Sequence, residues 1–133
     1  MMADLIAFLR ARLDEDERDA RLAASVIPPG EGWYRITQDA IADPRFARTY
    51  GLAYQHIARW DPARVLAEAA AKRAIIERHE SNVRLLARAT EHGDDQDRAI
   101  LGIRVSESYW HVRLAAQPHA GHPDFDLDWR LPE

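Results

Sequence analysis

Apolar residues recur at helical spacing along most of the chain. Leu5, Phe8, Leu9 and Leu13 lie at positions i, i+3, i+4 and i+8, which predicts a helix over 4–25. Beyond Leu13 the stripe gives way to the run DEDERDAR, whose acidic and basic residues are spaced for i,i+4 ion pairs. We therefore expect the first half of this helix to be packed, and the second half to be solvated or to face a partner.

The segment 26–43 is expected to be a loop. Its VIPPGEG sequence holds two prolines and two glycines, which cannot continue a helix. The run WYRI at 33–36 predicts a short strand. Asp43-Pro44 is typical of a helix start, with Asp as the N-cap and Pro at the first helical position. The apolar face of that helix is expected at Phe46, Tyr50, Ala53, Tyr54 and Ile57.

The stretch HIARWDPARVLAEAAAKR begins the longest predicted helix. Asp61 can cap its first turn, Pro62 suits its first position, and Trp60 can fold over Val65 as a hydrophobic staple. No glycine or proline follows until Gly93, so one helix over 62–91 is expected, with Ser81-Asn82 as its weakest point. Its buried stripe is predicted at Val65, Ala69, Lys72, Ile76, His79, Val83 and Leu86. Two surface ion pairs at i,i+4 spacing are also predicted, Glu68–Lys72 and Glu80–Arg84.

A short turn, HGDDQD, precedes the last helix. Gly93 suits the end of one helix, and Asp94 or Asp95 suits the cap of the next. Two long helices joined so closely are expected to form an antiparallel hairpin. The buried side of the last helix is predicted at Ile100, Ile103, Trp110 and Leu114, widened by Leu101, Val105 and Val112.

The C-terminal segment 118–133 reads as an irregular tail. In this tail, Phe125 and Trp129 are expected to pack against the bundle from one helical turn. The predicted fold is therefore all-α, a single helical domain over 1–133 built as an irregular bundle of about four helices with a long antiparallel helical hairpin.

Composition narrows the class of protein. The chain has no cysteine, which excludes disulfides and thiolate metal sites and suits a reducing compartment. Its N-terminus lacks a basic leader followed by an apolar block, and no apolar run is long enough for a membrane helix. We expect a cytoplasmic protein with no membrane partner and no cofactor.

A net charge of -4 argues against a binder of duplex nucleic acid.

Three blocks of the sequence resemble a small family of unknown function from actinobacteria and their phages. The blocks are LIAFLRARLDEDE, HIARWDPARVLAEAAAKRAI and the terminal HAGHPDFDLDWRLP. The second and third resemble family patterns of the form HIARxDPARVLxExxAKR and HPDYxxxWRP. The resemblance carries no established activity. Cysteine pairs in relatives suggest zinc, but this chain has none, and its middle segment TQDAIADPRFARTYGLAYQ departs from the family pattern.

Three sets of residues are candidate sites. An unidentified protein partner, or a second copy of the chain, could bind the acidic run Asp14, Glu15, Asp16 and Glu17 or the aromatic pair Trp33 and Tyr34. Nucleic acid could bind an arginine-rich middle segment, Arg45, Arg48, Arg59, Arg64 and Arg73. A metal ion could bind His119, His122 and Asp124.

We favour the first set and a non-enzymatic protein that acts through protein contacts. Caps and apolar stripes are well specified, whereas no catalytic residue can be assigned. Ser108 and His111 are an i,i+3 pair of the kind that helices produce by chance. The alternatives that stay open are a nucleic-acid-binding regulator, which would use the arginines, and a metal-dependent hydrolase, which would use the histidines.

Overall fold

In a computed structural model, the chain is described over residues 2–26, 29–45, 48, 57 and 59–133. Its long helices are α1 (Met2–Val26), α2 (Glu31–Ala42), α3 (Pro62–His92) and α4 (Asp95–Ala116). Two 3-10 helices follow, Gln117–His119 and Leu127–Trp129. The described residues contain no strand, and the prediction of an all-α bundle is confirmed. No helix among them combines the length and the apolar composition that a membrane crossing requires.

The chain divides into two compact units. The terminal unit consists of residues 1–13 and 70–133, and the middle unit consists of residues 14–69. The terminal unit thus holds the first half of α1, most of α3, all of α4 and the C-terminal tail. The single domain expected over 1–133 stays a prediction.

The core of the terminal unit includes the predicted stripe of α1. Leu5, Phe8, Leu9 and Leu13 are all buried, as their spacing indicates. The tail covers this stripe as expected: Phe125 and Trp129 are 7% and 6% exposed. Their ring centroids lie 5.7 and 5.2 Å from that of Phe8, at angles that favour aromatic contact.

Helices α3 and α4 form the predicted antiparallel hairpin. Gly93, at φ 69°, ends α3 in a Schellman motif, in which the Asp94 amide donates to the Ala89 carbonyl at 3.2 Å. The Asp94 carboxylate then caps α4 by accepting from the Asp97 amide at 3.0 Å. All 31 residues of α3 are helical, so the helix is continuous through Ser81-Asn82.

The rotation of α4 differs from the sequence prediction. Ile100, Ile103, Trp110 and Leu114, which were expected to be buried, are exposed by 45%, 63%, 42% and 46%. The buried residues of α4 are Ser108, Val112, Ala115 and Ala116. Small side chains and a serine face the core because α4 packs there against His79 of α3, whose imidazole Nδ1 lies 2.8 Å from the Ser108 hydroxyl.

The middle unit corrects the strand expected at 33–36 and the loop expected over 26–43. Residues 31–42 form α2, whose first hydrogen bond runs from the Tyr34 amide to the Gly30 carbonyl at 3.0 Å. Gly30 has φ 74°, a left-handed conformation that lets the chain turn sharply into this helix. A four-residue strand would need a neighbouring strand, whereas a helix satisfies its own amides.

Two predicted caps in the middle unit are confirmed. The Asp61 carboxylate accepts from the Ala63 amide at 2.7 Å, and it also accepts from the Gly30 amide. The Asp43 carboxylate accepts from the Arg45 amide at 2.9 Å. Of the apolar face predicted after Asp43, Ile57 is 41% exposed. The remaining positions of that face, Phe46, Tyr50, Ala53 and Tyr54, lie outside the described residues.

Candidate interaction surface

The outward side of α4 carries a row of large apolar side chains. We define the α4 outer stripe as Ile100, Ile103, Trp110 and Leu114. Glu107 continues the same row, because the five positions are separated by steps of three and four along one helix. With exposed fractions of 42–63%, the four apolar side chains present about 400 Å² to solvent, the size of the largest apolar patch on a typical monomer.

A buried polar contact between α3 and α4 fixes which side of α4 faces outward. His79 is 0% exposed and Ser108 is 5% exposed. With the Ser108 hydroxyl assigned as donor to the Val105 carbonyl, 3.1 Å away, the neutral His79 is assigned the tautomer whose Nδ1–H donates to the Ser108 oxygen. Burial lowers the pKa of His79, which keeps the imidazole neutral near pH 7. Turning α4 to bury the outer stripe would break this contact.

The C-terminal tail forms hydrogen bonds with the end of α4, next to the stripe. The Arg113 guanidinium donates to the carbonyls of Asp128, Trp129 and Arg130 at 3.2, 3.3 and 2.7 Å. Its Cζ also lies 5.6 Å from the centre of the Trp110 ring, a cation–π distance. A depression of about 690 Å³ lies beside Trp110 and is lined by Ser106, Glu107 and His111.

A second depression, of about 550 Å³, lies between α1 and α3 in the terminal unit. Arg10 and Glu80 form a bidentate ion pair at its edge, with bonds of 2.9 and 2.8 Å. The hydrogen bond from Arg10 lowers the pKa of Glu80, and the same bond raises the pKa of Arg10. Sequence spacing predicted Arg84 as the partner of Glu80, but the bonds in the structure come from another helix.

His79 and Ser108 are also the nearest approach to a catalytic pair in the described residues. Sequence spacing places Ser108 beside His111 and gives no sign of His79, because Ser108 and His79 are 29 positions apart and only the hairpin brings them together. A serine nucleophile needs its proton directed at a base and its oxygen open to substrate. Here both side chains are buried, so the Ser108 oxygen is closed to a substrate and the contact is suited to packing.

The predicted partner-binding residues all belong to the middle unit. In the acidic run, Glu17 pairs with Arg21 at 3.7 Å, as its spacing indicates. Trp33 donates from its indole nitrogen to the Ile57 carbonyl at 3.1 Å, whereas Tyr34 is 59% exposed. The other members of the acidic run, Asp14, Glu15 and Asp16, range from half-buried to exposed on α1. Partner binding by these residues stays a prediction.

The predicted arginine face is divided between the two units. Arg45, Arg48, Arg59 and Arg64 are exposed in the middle unit, whereas Arg73 is half-buried in the terminal unit. Arg64 is engaged locally, with Glu68 at 2.9 Å and with the Trp60 ring at 5.0 Å. Glu68 was predicted to pair with Lys72. Nucleic-acid binding by this set stays a prediction.

The predicted metal ligands lie near the aromatic core of the terminal unit. The rings of His119 and His122 lie 6.4 and 5.7 Å from Phe8, and the Arg12 guanidinium is within 2.9 Å of the His122 Nδ1. Asp124 is 3.9 Å from the same nitrogen. Among the described residues, no group of three or more candidate ligands converges. A guanidinium at the imidazole places positive charge where the metal ion would bind.

Comparison with known proteins gives a family and no activity. No curated protein and no solved structure matches the chain. The family match extends over residues 2–131 and therefore covers both units. The chain belongs to the family of unknown function DUF6221.

Proposed function

We propose that this protein is a non-enzymatic cytoplasmic protein that acts by binding another protein chain through the α4 outer stripe. The observation that carries the proposal is the exposure of Ile100, Ile103, Trp110 and Leu114 on one side of a helix whose other side is already buried. The stripe is interrupted by Glu107 but has the size of the largest apolar patch on a typical monomer, which is often a functional surface. Trp110, in the second half of α4, is one of the residue types most enriched among binding hot spots.

The hydrophobic free energy of the stripe is comparable to the costs of association. Covering about 400 Å² of apolar surface contributes about 10 kcal/mol of hydrophobic free energy before the costs of association are subtracted. Those costs, about 4–15 kcal/mol, are of similar size, so the apolar contact alone leaves little net free energy and supports weak binding. Partly fixed side chains reduce the ordering cost, and Trp110 is already held by the Arg113 guanidinium.

The polar groups of the terminal unit are consistent with a binding role. His79 and Ser108 satisfy each other inside the hairpin, and Arg10 and Glu80 neutralise each other between α1 and α3. The first contact joins α3 to α4, and the second joins α1 to α3. We therefore assign the first to positioning α4 with its apolar side turned outward, and the second to holding α1 against α3.

Site-specific photo-crosslinking in cells tests the proposal. A photoreactive amino acid placed at Ile103 is expected to give one adduct of defined mass, because Ile103 is the most exposed member of the stripe. The same amino acid placed at Glu91, an exposed position on α3, serves as the matched control and is expected to give none. If position 103 yields no adduct, or the same weak background as position 91, the proposed function is wrong.

A further inference from the structure

We infer that the chain which covers the α4 outer stripe is a second copy of this protein, bound with its α4 antiparallel across a two-fold axis near Glu107. The inference rests on the proposed function, because it names the partner of the same surface. A two-fold interface must be complementary to itself, since each copy contributes the same surface. Three features of α4 meet that requirement.

The first feature is the spacing of the stripe about Glu107. Ile100 and Ile103 lie seven and four residues before it, and Trp110 and Leu114 lie three and seven residues after it. The arrangement is nearly symmetric. In an antiparallel pair, the two isoleucines of one copy therefore meet the tryptophan and leucine of the other. A parallel pair would instead place each residue type against itself.

The second feature is the distribution of charge along α4. Its first turn carries Asp95 and Asp97, of which Asp95 is bonded to Arg98, and its last turn carries Arg113, whose guanidinium also donates to the C-terminal tail. Antiparallel pairing sets the acidic end of one helix beside the basic end of the other, whereas parallel pairing sets like charges together. Opposite charge at the rim fixes orientation and register more than it adds affinity.

The third feature is area. Two stripes together remove about 800 Å² of surface, which lies below the roughly 1,000 Å² of a stable interface and in the range of weak, transient contacts. The axis itself brings two Glu107 carboxylates together, which weakens association. The expected assembly is a dimer that forms and dissociates with concentration.

Sedimentation of the purified chain across a hundredfold range of concentration measures this equilibrium. The wild-type protein is expected to shift from a 15.2 kDa monomer towards twice that mass. Ile103→Glu places a charge in the stripe and should raise the Kd at least about tenfold. Leu127→Glu, at an exposed leucine outside the stripe, is the matched control and should leave the Kd unchanged.

Glu107→Leu is expected to change the Kd of the dimer in the opposite direction. It removes the like charges at the axis and completes an unbroken apolar row, so it should lower the Kd at least about tenfold. A gain that stops at twice the monomer mass differs from the open-ended association of a misfolded chain. Unchanged association in this variant, or a wild-type chain that stays monomeric throughout, overturns the inference of self-pairing.

Engineered cysteines test the orientation, and the absence of native cysteine makes the assay clean. An equimolar mixture of Ile100→Cys and Leu114→Cys is expected to form the mixed disulfide under mild oxidation. Ile100→Cys alone should not, because antiparallel pairing separates its two copies by about 20 Å along the helix, well beyond disulfide reach. Efficient self-linking at position 100 would show parallel pairing and overturn the antiparallel arrangement.

The same experiments separate the two proposals. If position 103 crosslinks in cells to a different protein while the purified chain stays monomeric, the second-copy inference is overturned and the proposed function stands. If position 103 gives no adduct at all, both are overturned.

Discussion

Replacing Ser108 with alanine removes the oxygen that accepts the His79 Nδ1–H inside the hairpin. The histidine is fully buried and the serine is 5% exposed, so water cannot restore the bond without opening the contact between α3 and α4. The same serine also donates to the Val105 carbonyl, but that carbonyl belongs to a helix that already uses it. The principal loss is therefore the buried acceptor of His79.

The size of the effect follows from the burial of the orphaned donor. A buried donor without its acceptor costs about 1–3 kcal/mol. Alanine returns a few tenths of a kcal/mol through its higher helix propensity. Ser106→Ala is the matched control: Ser106 lies on the same helix, is exposed, and makes the same kind of backbone bond, to the Gly102 carbonyl at 3.1 Å. The difference between the two variants isolates the buried bond.

Urea denaturation followed by far-ultraviolet circular dichroism measures that difference. Ser108→Ala is expected to lower the free energy of unfolding by about 1–3 kcal/mol relative to Ser106→Ala, with an unchanged dependence on urea. The double variant His79→Leu with Ser108→Ala should recover part of the loss, because both partners become apolar. Equal stabilities of the two serine variants would refute this account of what sets the rotation of α4.

Further predictions concern pH and the helix ends. Burial lowers the pKa of His79, so the unfolded chain binds a proton at this residue more readily than the folded chain does. The free energy of unfolding should therefore keep its full His79 contribution above pH 6.5 and decrease below that pH. Denaturation measured over a series of pH values should show no such decrease in His79→Gln. The hydrogen bond from Arg10 lowers the pKa of Glu80, so the free energy of unfolding should decrease a second time below pH 4.5, and Glu80→Gln should lack this decrease. An unchanged acid profile in that variant would contradict the contribution of the ion pair to stability. Gly93→Ala should cost about 1 kcal/mol in urea denaturation because of backbone strain at φ 69°, since no atom lies near the added methyl group. Asp94→Ala should cost about 1 kcal/mol in the same assay through loss of the α4 cap, whereas Asp94→Asn should retain most of it.

Features that depend on neighbouring residues could be predicted from the sequence. The Asp61 and Asp94 caps and the Gly93 helix end all appear where the residue types indicate, because each rests on bonds within a few positions of the chain. The buried stripe of α1 was also predictable, because it is the dominant apolar side of that helix. Residues 33–36 were misassigned because four residues contain too little periodic signal to distinguish a strand from a helix.

The sequence by itself determined that α4 is a helix, where it begins, and that large apolar residues share one side of it. Only the tertiary structure decided that this side faces outward. Hydrophobic periodicity ranks sides of a helix by size and apolarity, and it ranked Ile100 and Trp110 above Ser108. Burial instead depends on what the neighbouring helix presents. Buried His79 needs a polar acceptor, and Ser108 provides one 29 residues away, so α4 turns its smaller side inward and leaves the larger one exposed.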